Sequence, residues 1–507
     1  ASRPEVTRFY AANSFKRPQV EGVMQQVCTA CGNLQSHGAK ACVACSEESL
    51  LSIFRVTEMK SGTKGDVQYT RHDNTCPACG ERDRMLLLGA RNATLGAQVV
   101  EHSWASPFND DKKLIAFSDS VQDAAHRAGF FGARTYLNNV RMALSKVMDE
   151  AMPGDAPAAL PWSEFLGQMA QSFDKPGAVL HMPPEKLVAE FIGPNMTWHP
   201  NWSVDLLKNG ALPANSRLPD WVRKRLLWQA VSEMTYLSHR GRTLERIGKA
   251  CLTVPMARLA PLVAILLPVF EEKYGLKALQ PSTLTQWLWG ALAHMRKRGA
   301  VLHEGMDKYA EDGNVYGLSQ LPGRKEWMPP MSPYTPHPVF VTLGRHKDFD
   351  KLKGDKKANW FDRWTDAVFV GRGHLLAPGL GADLLAEAVD LMVREDILKA
   401  TESHLGVSLA INPEALLLNT DVKWLTTPQG KRMLTVPSDD ADALLGMPCL
   451  ESTDEHYELA TDAGGWLARR YSQGDLGRVI AAEHTGLLER QEREALEIRF
   501  KSKEPKA

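Results

Sequence analysis

The pattern of hydrophobic and polar positions in residues 112–131 predicts a buried strand that runs directly into a helix. The strand is the short apolar run in KKLIAFSDS, which ends at the Ser-Asp-Ser triplet 118–120, and these residue types cap helix N-termini. Apolar residues at helical spacing follow from Val121, and helix-like sequence continues to about Met152. The free N–H groups at such a helix start suit a phosphate. The same pattern also occurs in ordinary strand–helix units of α/β proteins.

A second strand–turn–helix pattern lies in residues 477–500. An apolar strand leads to a polar turn that contains Gly486, and a charged helix follows with Leu496 and Phe500 on one side. Glycine would let this turn approach a phosphate backbone closely. The two patterns are therefore alike in chemistry, although roughly 350 residues separate them.

Between the two patterns, the region up to residue 335 is predominantly helical. Residues 279–327 resemble a winged helix, because a capped helix from Pro281 ends in a basic turn and a wing is expected to end near Gly317. Such modules bind DNA or serve as packing units, and the sequence leaves both roles open.

Residues 336–470 begin with a basic and aromatic patch and end in a predicted β-ribbon. Residues 345–363 interleave Lys and Arg with Phe and Trp, a composition typical of a single-strand-binding groove and also of an ordinary solvated loop. Residues 379–420 predict two helices and a strand. In residues 422–460, the turn 426–430 resembles a zinc knuckle whose thiols have been replaced, and the lone Cys449 would be the survivor of a second knuckle. We therefore predict no metal at this ribbon.

Six of the eight cysteines lie in the first 79 residues, in three Cys-x-x-Cys pairs. Ten residues separate Cys28 and Cys31 from Cys42 and Cys45. Two such turns aim four thiolates at one point, as a tetrahedral zinc site requires, and no adjacent His/Glu set suggests a catalytic position. We therefore predict structural zinc.

The third pair, Cys76 and Cys79, has no matching partner pair. It could complete a site with either of the other pairs, with a histidine or with another chain. It could also be a reduced pair or the remnant of a lost site.

Composition narrows the class of protein. The 507 residues carry 60 Lys and Arg against 60 Asp and Glu, so any basic surface must be local, and this length predicts roughly three or four domains. We expect a cytoplasmic protein with no membrane partner, since no signal peptide opens the chain and no apolar stretch is long enough to span a bilayer.

Taken together, KLIAFSDSVQDAAHRAGFF and AAEHTGLLERQEREALEIRF resemble two blocks of the second RecA-like lobe of superfamily-two DNA helicases. The similarity is to the Lhr-like and DUF1998-associated large helicases, which also carry a cysteine-knuckle segment before this lobe. Large inserted helicases of this kind resemble those of bacterial anti-phage defence systems such as Druantia.

The resemblance implies a partial α/β RecA-like lobe with an N-terminal Cys-rich zinc segment and a large, mainly helical insertion, which contains the winged-helix-like part and the degenerate β-ribbon. The expected segments are the zinc segment 1–84, the first part of the lobe 85–152, the helical insertion 153–335, the patch, helices and ribbon 336–470, and the return to a truncated lobe 471–507.

The same resemblance implies that the chain grips DNA, either single-stranded or at a duplex junction. The residues expected to contact phosphates are Ser118, Ser120, Gln122, Thr485 and Gly486. In the basic and aromatic patch, we expect Arg345, Lys347 and Trp360 to bind the nucleic acid.

The sequence lacks the ATP-binding motifs of the family. It contains no Gly-x-x-x-x-Gly-Lys-Ser/Thr motif and no Asp-Glu-x-His or Asp-Glu-x-Asp box, and the family's motifs V and VI are expected beyond Ala507. We therefore expect no catalytic residue here, with ATP and Mg²⁺ bound only by an ATP-binding lobe elsewhere in the helicase polypeptide or in a partner subunit.

Two alternatives belong to other classes of protein. A non-catalytic zinc-containing DNA-binding or scaffold protein is favoured by the missing ATPase motifs. A complete metal-dependent enzyme is disfavoured, because no His/Asp/Glu cluster with ligand spacing occurs outside the cysteine segment.

Overall fold

The computed structural model of the chain forms two compact units. The first consists of residues 1–92 with 426–432, and the second of 93–425 with 433–507. The structure describes residues 9–11, 21–56, 59–64, 67–72, 121–154, 158–320, 326–354, 358–374, 376–377, 379–428, 432–460, 466–478 and 489–501.

Small antiparallel sheets build the first unit. The strands are β1 Phe9–Ala11, β2 Gly22–Cys28, β3 Leu34–Ser36, β4 Leu50–Val56, β5 Met59–Lys64 and β6 Val67–His72. β1 to β4 form one sheet in the order β1-β4-β2-β3, and β5 pairs with β6. The long β2–β4 pairing runs from Gly22 opposite Val56 to Cys28 opposite Leu50. It therefore places Cys28 at the end of the sheet that leads into the first cysteine turn.

Helices dominate the second unit. They are α1 Val121–Ala151, α2 Trp162–Ser172, α3 Pro184–Phe191, α4 Leu218–Met234, α5 Met256–Tyr274, α6 Pro281–Arg298, α7 Asp307–Asp312, α8 Val315–Gln320, α9 Trp360–Val370, α10 Leu380–Arg394, α11 Trp466–Gln473 and α12 Arg490–Lys501. A π-helix spans Asn201–Leu206. Local sequence sets several of these ends; for example, Asn359 and Asp362 form a capping box at the start of α9.

Three small sheets accompany the helices. Their strands are β7 Ala159–Pro161, β8 Cys251–Thr253, β9 Val341–Thr342, β10 Asp350–Lys351, β11 Leu398–Ser403, β12 Gly406–Ile411, β13 Leu417–Asn419, β14 Val422–Thr426, β15 Met433–Pro437 and β16 Glu458–Leu459. The strand orders are β7-β13-β8, β10-β9-β12-β11 and β15-β14-β16. The chain is therefore a mixed α/β protein with small sheets.

The helix predicted from Val121 to about Met152 is confirmed, because α1 spans Val121–Ala151. The predicted strand and turn before it, and the turn that contains Gly486, lie outside the described residues. The described part of α1 packs against helices α2, α3, α4 and α11. The mixed α/β class is thus confirmed, whereas the RecA-like lobe stays an expectation.

Residues 279–327 contain the predicted helix as α6, which ends at Gly299 with a left-handed φ of 88°. The stretch expected to form the wing holds the short helices α7 and α8, and Val301 makes only an isolated parallel bridge with Ile411. A winged helix is therefore not confirmed.

The prediction of a second helix in 379–420 was wrong. α10 ends near Arg394, and Asp396 adopts a left-handed φ of 57°, which stops helical propagation. Residues from Leu398 onwards pair as the antiparallel hairpin of β11 and β12. Tertiary strand pairing overrides the helical propensity of this segment.

The apolar core of the second unit includes a cluster of tryptophans between α6 and α9. Trp287 Nε1 donates to Thr365 Oγ1 at 3.0 Å, and Trp364 Nε1 donates to the Trp287 carbonyl at 3.0 Å. Both indoles are fully buried. Gly290 makes this approach feasible, because a Cβ there would lie 2.0 Å from Trp364 Cζ2.

Gly290→Ala is expected to destabilise the chain by about 1–3 kcal/mol, because the methyl group forces the Trp364 indole out of its packed position. Gly167→Ala is the matched control: Gly167 also lies in a helix interior, but a Cβ there meets nothing within 4 Å, so a gain of about 0.5–1 kcal/mol is expected. Urea unfolding curves measure both changes. Equal stability of the two variants would contradict the packing described for Gly290.

Candidate metal centre and nucleic-acid-binding residues

Four cysteine thiols converge in the first unit, as the spacing predicts. The Sγ atoms of Cys28, Cys31, Cys42 and Cys45 all lie within 4.8 Å of one another. The Cys28–Cys45 and Cys31–Cys42 sulfur pairs are each 3.6 Å apart. Tetrahedral zinc with Zn–S bonds of about 2.3 Å requires sulfur separations of about 3.8 Å. The four thiols are therefore arranged to hold a metal ion of this kind.

The first cysteine turn follows directly from β2. The N–H of Cys28 donates to the Asn33 carbonyl at 2.9 Å, and the N–H of Gly32 donates back to the Cys28 carbonyl at 2.9 Å. Gly32 has a left-handed φ of 74°, which a glycine adopts without strain. This tight turn brings Cys31 back towards Cys28.

The second turn repeats the same hydrogen-bond pattern without a glycine. The N–H of Cys42 donates to the Glu47 carbonyl, and the N–H of Ser46 donates back to the Cys42 carbonyl, both at 2.8 Å. Ser46 takes the left-handed φ of 63° that Gly32 takes in the first turn. In addition, the Ala44 N–H points at Cys42 Sγ at 3.4 Å. The two halves of the site are therefore equivalent knuckles.

Two buried glutamines, which sequence reasoning missed, hold the second knuckle in place. Gln35 donates to the Ala41 carbonyl at 3.1 Å and accepts from the Val43 N–H at 3.0 Å. Gln26 accepts from the two N–H groups of residues 38–39 at 3.1 and 3.0 Å. The two face each other across β2 and β3. The only signal in the sequence is a polar residue at an inward position of each strand.

Neighbouring thiols and backbone N–H groups shift the pKa values of Cys42 and Cys45 in opposite directions. Burial raises the pKa of Cys42, but backbone N–H groups of Ala44 and Cys45 and the Cys31 thiol outweigh burial and lower that pKa to about 6. For Cys45, the Glu47 N–H lowers the pKa, but the neighbouring thiols and burial outweigh it and raise the pKa to about 12. A cation would let all four ionise, so metal binding releases protons and weakens as the pH falls.

Four sulfur ligands fill a tetrahedral site, which leaves no coordination position for substrate and indicates a structural role. Among the described residues, no further group of His, Cys, Asp or Glu is arranged to hold a metal. Cys76 and Cys79 lie outside the described residues. Cys449 is buried, with its thiol donating to Tyr457 Oη at 3.4 Å.

Most of the residues expected to grip phosphates are in parts of the chain that the structure does not describe. Ser118, Ser120, Thr485 and Gly486 lie outside the described residues, and Gln122 lies in the first turn of α1. These five assignments stay predictions.

Arg345 and Lys347 are exposed on the loop that joins β9 to β10, with His346 buried between them. His346 Nδ1 lies 2.9 Å from Thr342 Oγ1, and Nε2 lies 3.0 Å from the Glu311 carbonyl. Because both ring nitrogens have partners in the protein, the buried imidazole fixes the loop. The two cations are therefore displayed to solvent from an anchored backbone.

Trp360 is half-buried at the start of α9 and has several contacts within the protein. Its Nε1 donates to the Leu450 carbonyl at 2.9 Å, and its ring stacks on His294 with centroids 3.6 Å apart. Two other aromatic residues of the patch, Phe361 and Trp364, are buried. These side chains are thus part of the core packing, and the proposed contact of Trp360 with nucleic acid stays a prediction.

The structure brings α1 together with the start of the second strand–turn–helix stretch. The Gly477 N–H donates to Asn139 Oδ1 at 2.9 Å, and the Arg478 N–H donates to Glu190 Oε2 at 2.8 Å. The Arg478 guanidinium lies 5.4 Å from the ring centroid of Tyr136 on α1. Burial lowers the pKa of Arg478, which indicates a tightly enclosed anchor. Two stretches more than 300 residues apart therefore meet.

Replacing Cys28 and Cys42 together by serine is expected to lower the zinc content by one equivalent per chain, because the remaining two thiols cannot complete the site. Cys449→Ser is the matched control and should leave the zinc content unchanged. Elemental analysis of the purified chains measures the difference, which is independent of any zinc bound by Cys76 and Cys79. Equal zinc in wild type and double variant would show that the four thiols hold none.

Gln35→Leu is expected to weaken zinc affinity by about 10- to 100-fold, because the loop that carries Cys42 loses both of its Gln35 hydrogen bonds. Gln25→Leu is the control, since Gln25 lies on the same strand pair but on the opposite face of the sheet. Competition with a chromogenic chelator gives both affinities. An equal effect of the two substitutions would assign Gln35 a general stabilising role only.

No helix in the described part of the chain combines the length and the apolar character needed to cross a lipid bilayer. In comparisons with protein-family models, with curated proteins and with solved structures, nothing matches the chain. Its function therefore has to be inferred from its own residues and their geometry.

Proposed function

We propose that the chain is the DNA-gripping part of an ATP-dependent DNA helicase, with structural zinc in its first unit. The observation that carries this proposal is the anchoring of Gly477 and Arg478 on Asn139 and Glu190. A lobe that grips one DNA strand with two separate turns requires those turns to emerge from the same part of the fold. The contact supports the proposal because it joins α1, which follows the first turn in the sequence, to the segment that precedes the second turn.

The proposed grip uses the start of α1 and the turn of the second strand–turn–helix stretch. Ser118 and Ser120 directly precede α1, so their hydroxyls and the free N–H groups of the helix start would face a phosphate. Thr485 and Gly486 follow seven and eight residues after the half-buried Arg478. Gln122 in the first turn of α1 would add an amide contact.

The basic loop between β9 and β10 adds charge to this grip. Arg345 and Lys347 are exposed, while His346 holds the backbone between them. A cation that is already positioned loses less entropy when it binds a phosphate. We assign these two residues to backbone contacts, which position the strand without reading its sequence.

The proposed motor would bind and hydrolyse ATP at another lobe, because this sequence contains no phosphate-binding lysine motif and no magnesium-binding acidic box. ATP and Mg²⁺ would bind a lobe in the remainder of the helicase polypeptide or in a partner subunit. Closure of that lobe would move the grip along DNA. The resemblance to large inserted helicases supports the further proposal that this activity serves bacterial anti-phage defence.

A second candidate function has a specific observation in its favour. The described part of α1 packs on helices α2, α3, α4 and α11, whereas a helix of a RecA-like lobe packs on a parallel sheet. This arrangement favours a non-catalytic zinc-containing DNA-binding or scaffold protein. The two candidates share DNA binding and differ in whether an ATP-binding lobe acts with this chain.

The isolated chain is expected to bind single-stranded DNA in a salt-dependent way and to hydrolyse no ATP. Arg345→Gln with Lys347→Gln should reduce the slope of log affinity against log salt by about 1.4, since each phosphate contact contributes about 0.7 for single strands. The matched control is Lys175→Gln with Lys277→Gln, which removes the same charge from two exposed positions far from this loop in sequence.

Fluorescence anisotropy with an oligonucleotide at several salt concentrations measures these slopes, and phosphate release measures ATP turnover. Absent DNA binding at low salt would overturn the DNA-gripping role and leave only a scaffold. ATP turnover by the isolated chain would overturn the proposal that another lobe binds and hydrolyses the ATP.

A further inference from the structure

Trp198 is an exposed indole on a loop that precedes the π-helix Asn201–Leu206. Its exposed fraction is 59%, although tryptophan is highly buried on average in folded proteins. π-helical turns occur frequently at functional sites. A solvent-exposed indole beside such a turn is therefore a candidate ligand-binding surface, provided that its loop is rigid and its surroundings suit a ligand.

A partly buried network of polar side chains holds the loop in place. The Asn195 amide donates to the carbonyls of Glu326 and Met328 at 3.1 and 3.0 Å. Arg225, which is buried, donates to Asn195 Oδ1 at 3.0 Å. The Trp198 backbone is thus fixed by side chains three residues before it. A fixed aromatic face binds a flat ligand with little loss of conformational entropy.

Trp198 belongs to a row of three rings at the surface. Its centroid lies 5.6 Å from His199, and His199 lies 5.3 Å from Trp221 on α4. Both of these rings are half-buried. Residues 193–224 carry four Lys and Arg against two Asp, so this segment of the chain has a net positive charge, although Arg223 pairs with Asp174. Aromatic faces beside positive charge are the composition that binds single-stranded nucleic acid.

The position of this row agrees with the proposed grip. Trp202, in the π-helix that follows the loop, lies 5.9 Å from the Arg478 guanidinium. The Arg478 guanidinium also donates to the Ile192 carbonyl at the start of the same loop region. The loop that carries Trp198 is therefore attached to the segment that leads towards Thr485.

We propose that Trp198, with His199 and Trp221 beside it, is a stacking platform for bases of single-stranded DNA. The proposal rests on the proposed function, since it adds a base contact to a grip that otherwise holds phosphates. Stacking is tolerant of sequence, because every base has a π-face. The platform would hold the strand without selecting particular bases.

The test compares Trp198→Ala with wild type on oligo(dT) and on an abasic oligonucleotide of the same length. We expect about tenfold weaker binding to oligo(dT), the loss of roughly one stacked base, with no change in the salt slope because no phosphate contact is removed. On the abasic strand the two chains should bind equally. Trp198→Phe should retain most of the affinity.

Tyr334→Ala is the matched control, because Tyr334 is the more exposed aromatic residue at 93% and lies outside the row. Photo-crosslinking with an oligonucleotide that contains 5-iododeoxyuridine should link the oligonucleotide to Trp198 and not to Tyr334. The thermal unfolding temperature of Trp198→Ala is expected to equal that of wild type, because the side chain is exposed. This measurement shows that the variant is folded.

Unchanged affinity of Trp198→Ala for oligo(dT) would overturn the platform, while salt-dependent binding by wild type would leave the proposed grip standing. An equal loss on the abasic strand would also overturn it, because no base would be involved. Absent binding by wild type at low salt would overturn both proposals together.

Discussion

A buried ion pair between Arg296 and Glu245 ties together the interior of the second unit. The guanidinium makes two hydrogen bonds to the carboxylate, at 2.5 and 3.0 Å, and also donates to the Met234 carbonyl and to Ser238 Oγ. Both side chains are at most 4% exposed. The Glu245 carbonyl accepts from Thr435 Oγ1. One charged pair thus joins α6, the end of α4, the segment after it and β15.

The electrostatics of this pair explain why it constrains the fold. Burial alone would raise the pKa of Glu245, but the Arg296 charge outweighs burial and holds that pKa below its usual value. The Glu245 carboxylate therefore stays ionised in the interior. Removing one partner of such a pair typically costs about 3–5 kcal/mol, since the other is left as an uncompensated buried charge. The segments that supply the pair must consequently dock together.

Buried or half-buried polar side chains hold each of the candidate functional segments. Gln35 holds the second cysteine knuckle and His346 holds the basic loop. Asn195 holds the loop of Trp198, and Asn139 holds the start of the second strand–turn–helix stretch. In each case the side chain pairs with backbone groups of another segment. In the first unit, a metal ion held by the four thiols would also staple the small core.

Local chemistry in the sequence determined the cysteine cluster and the helix from Val121, because both depend on spacing within a few turns of chain. It did not determine the segment after α10, where the second helix predicted in 379–420 does not form. There, a left-handed Asp396 and the pairing of β11 with β12 decided the outcome. Nor did it identify Gln35, His346 or Trp198, since the partners that bury or expose them lie far away in sequence. Only the tertiary structure decided which polar groups became anchors and which aromatic face remained open to solvent.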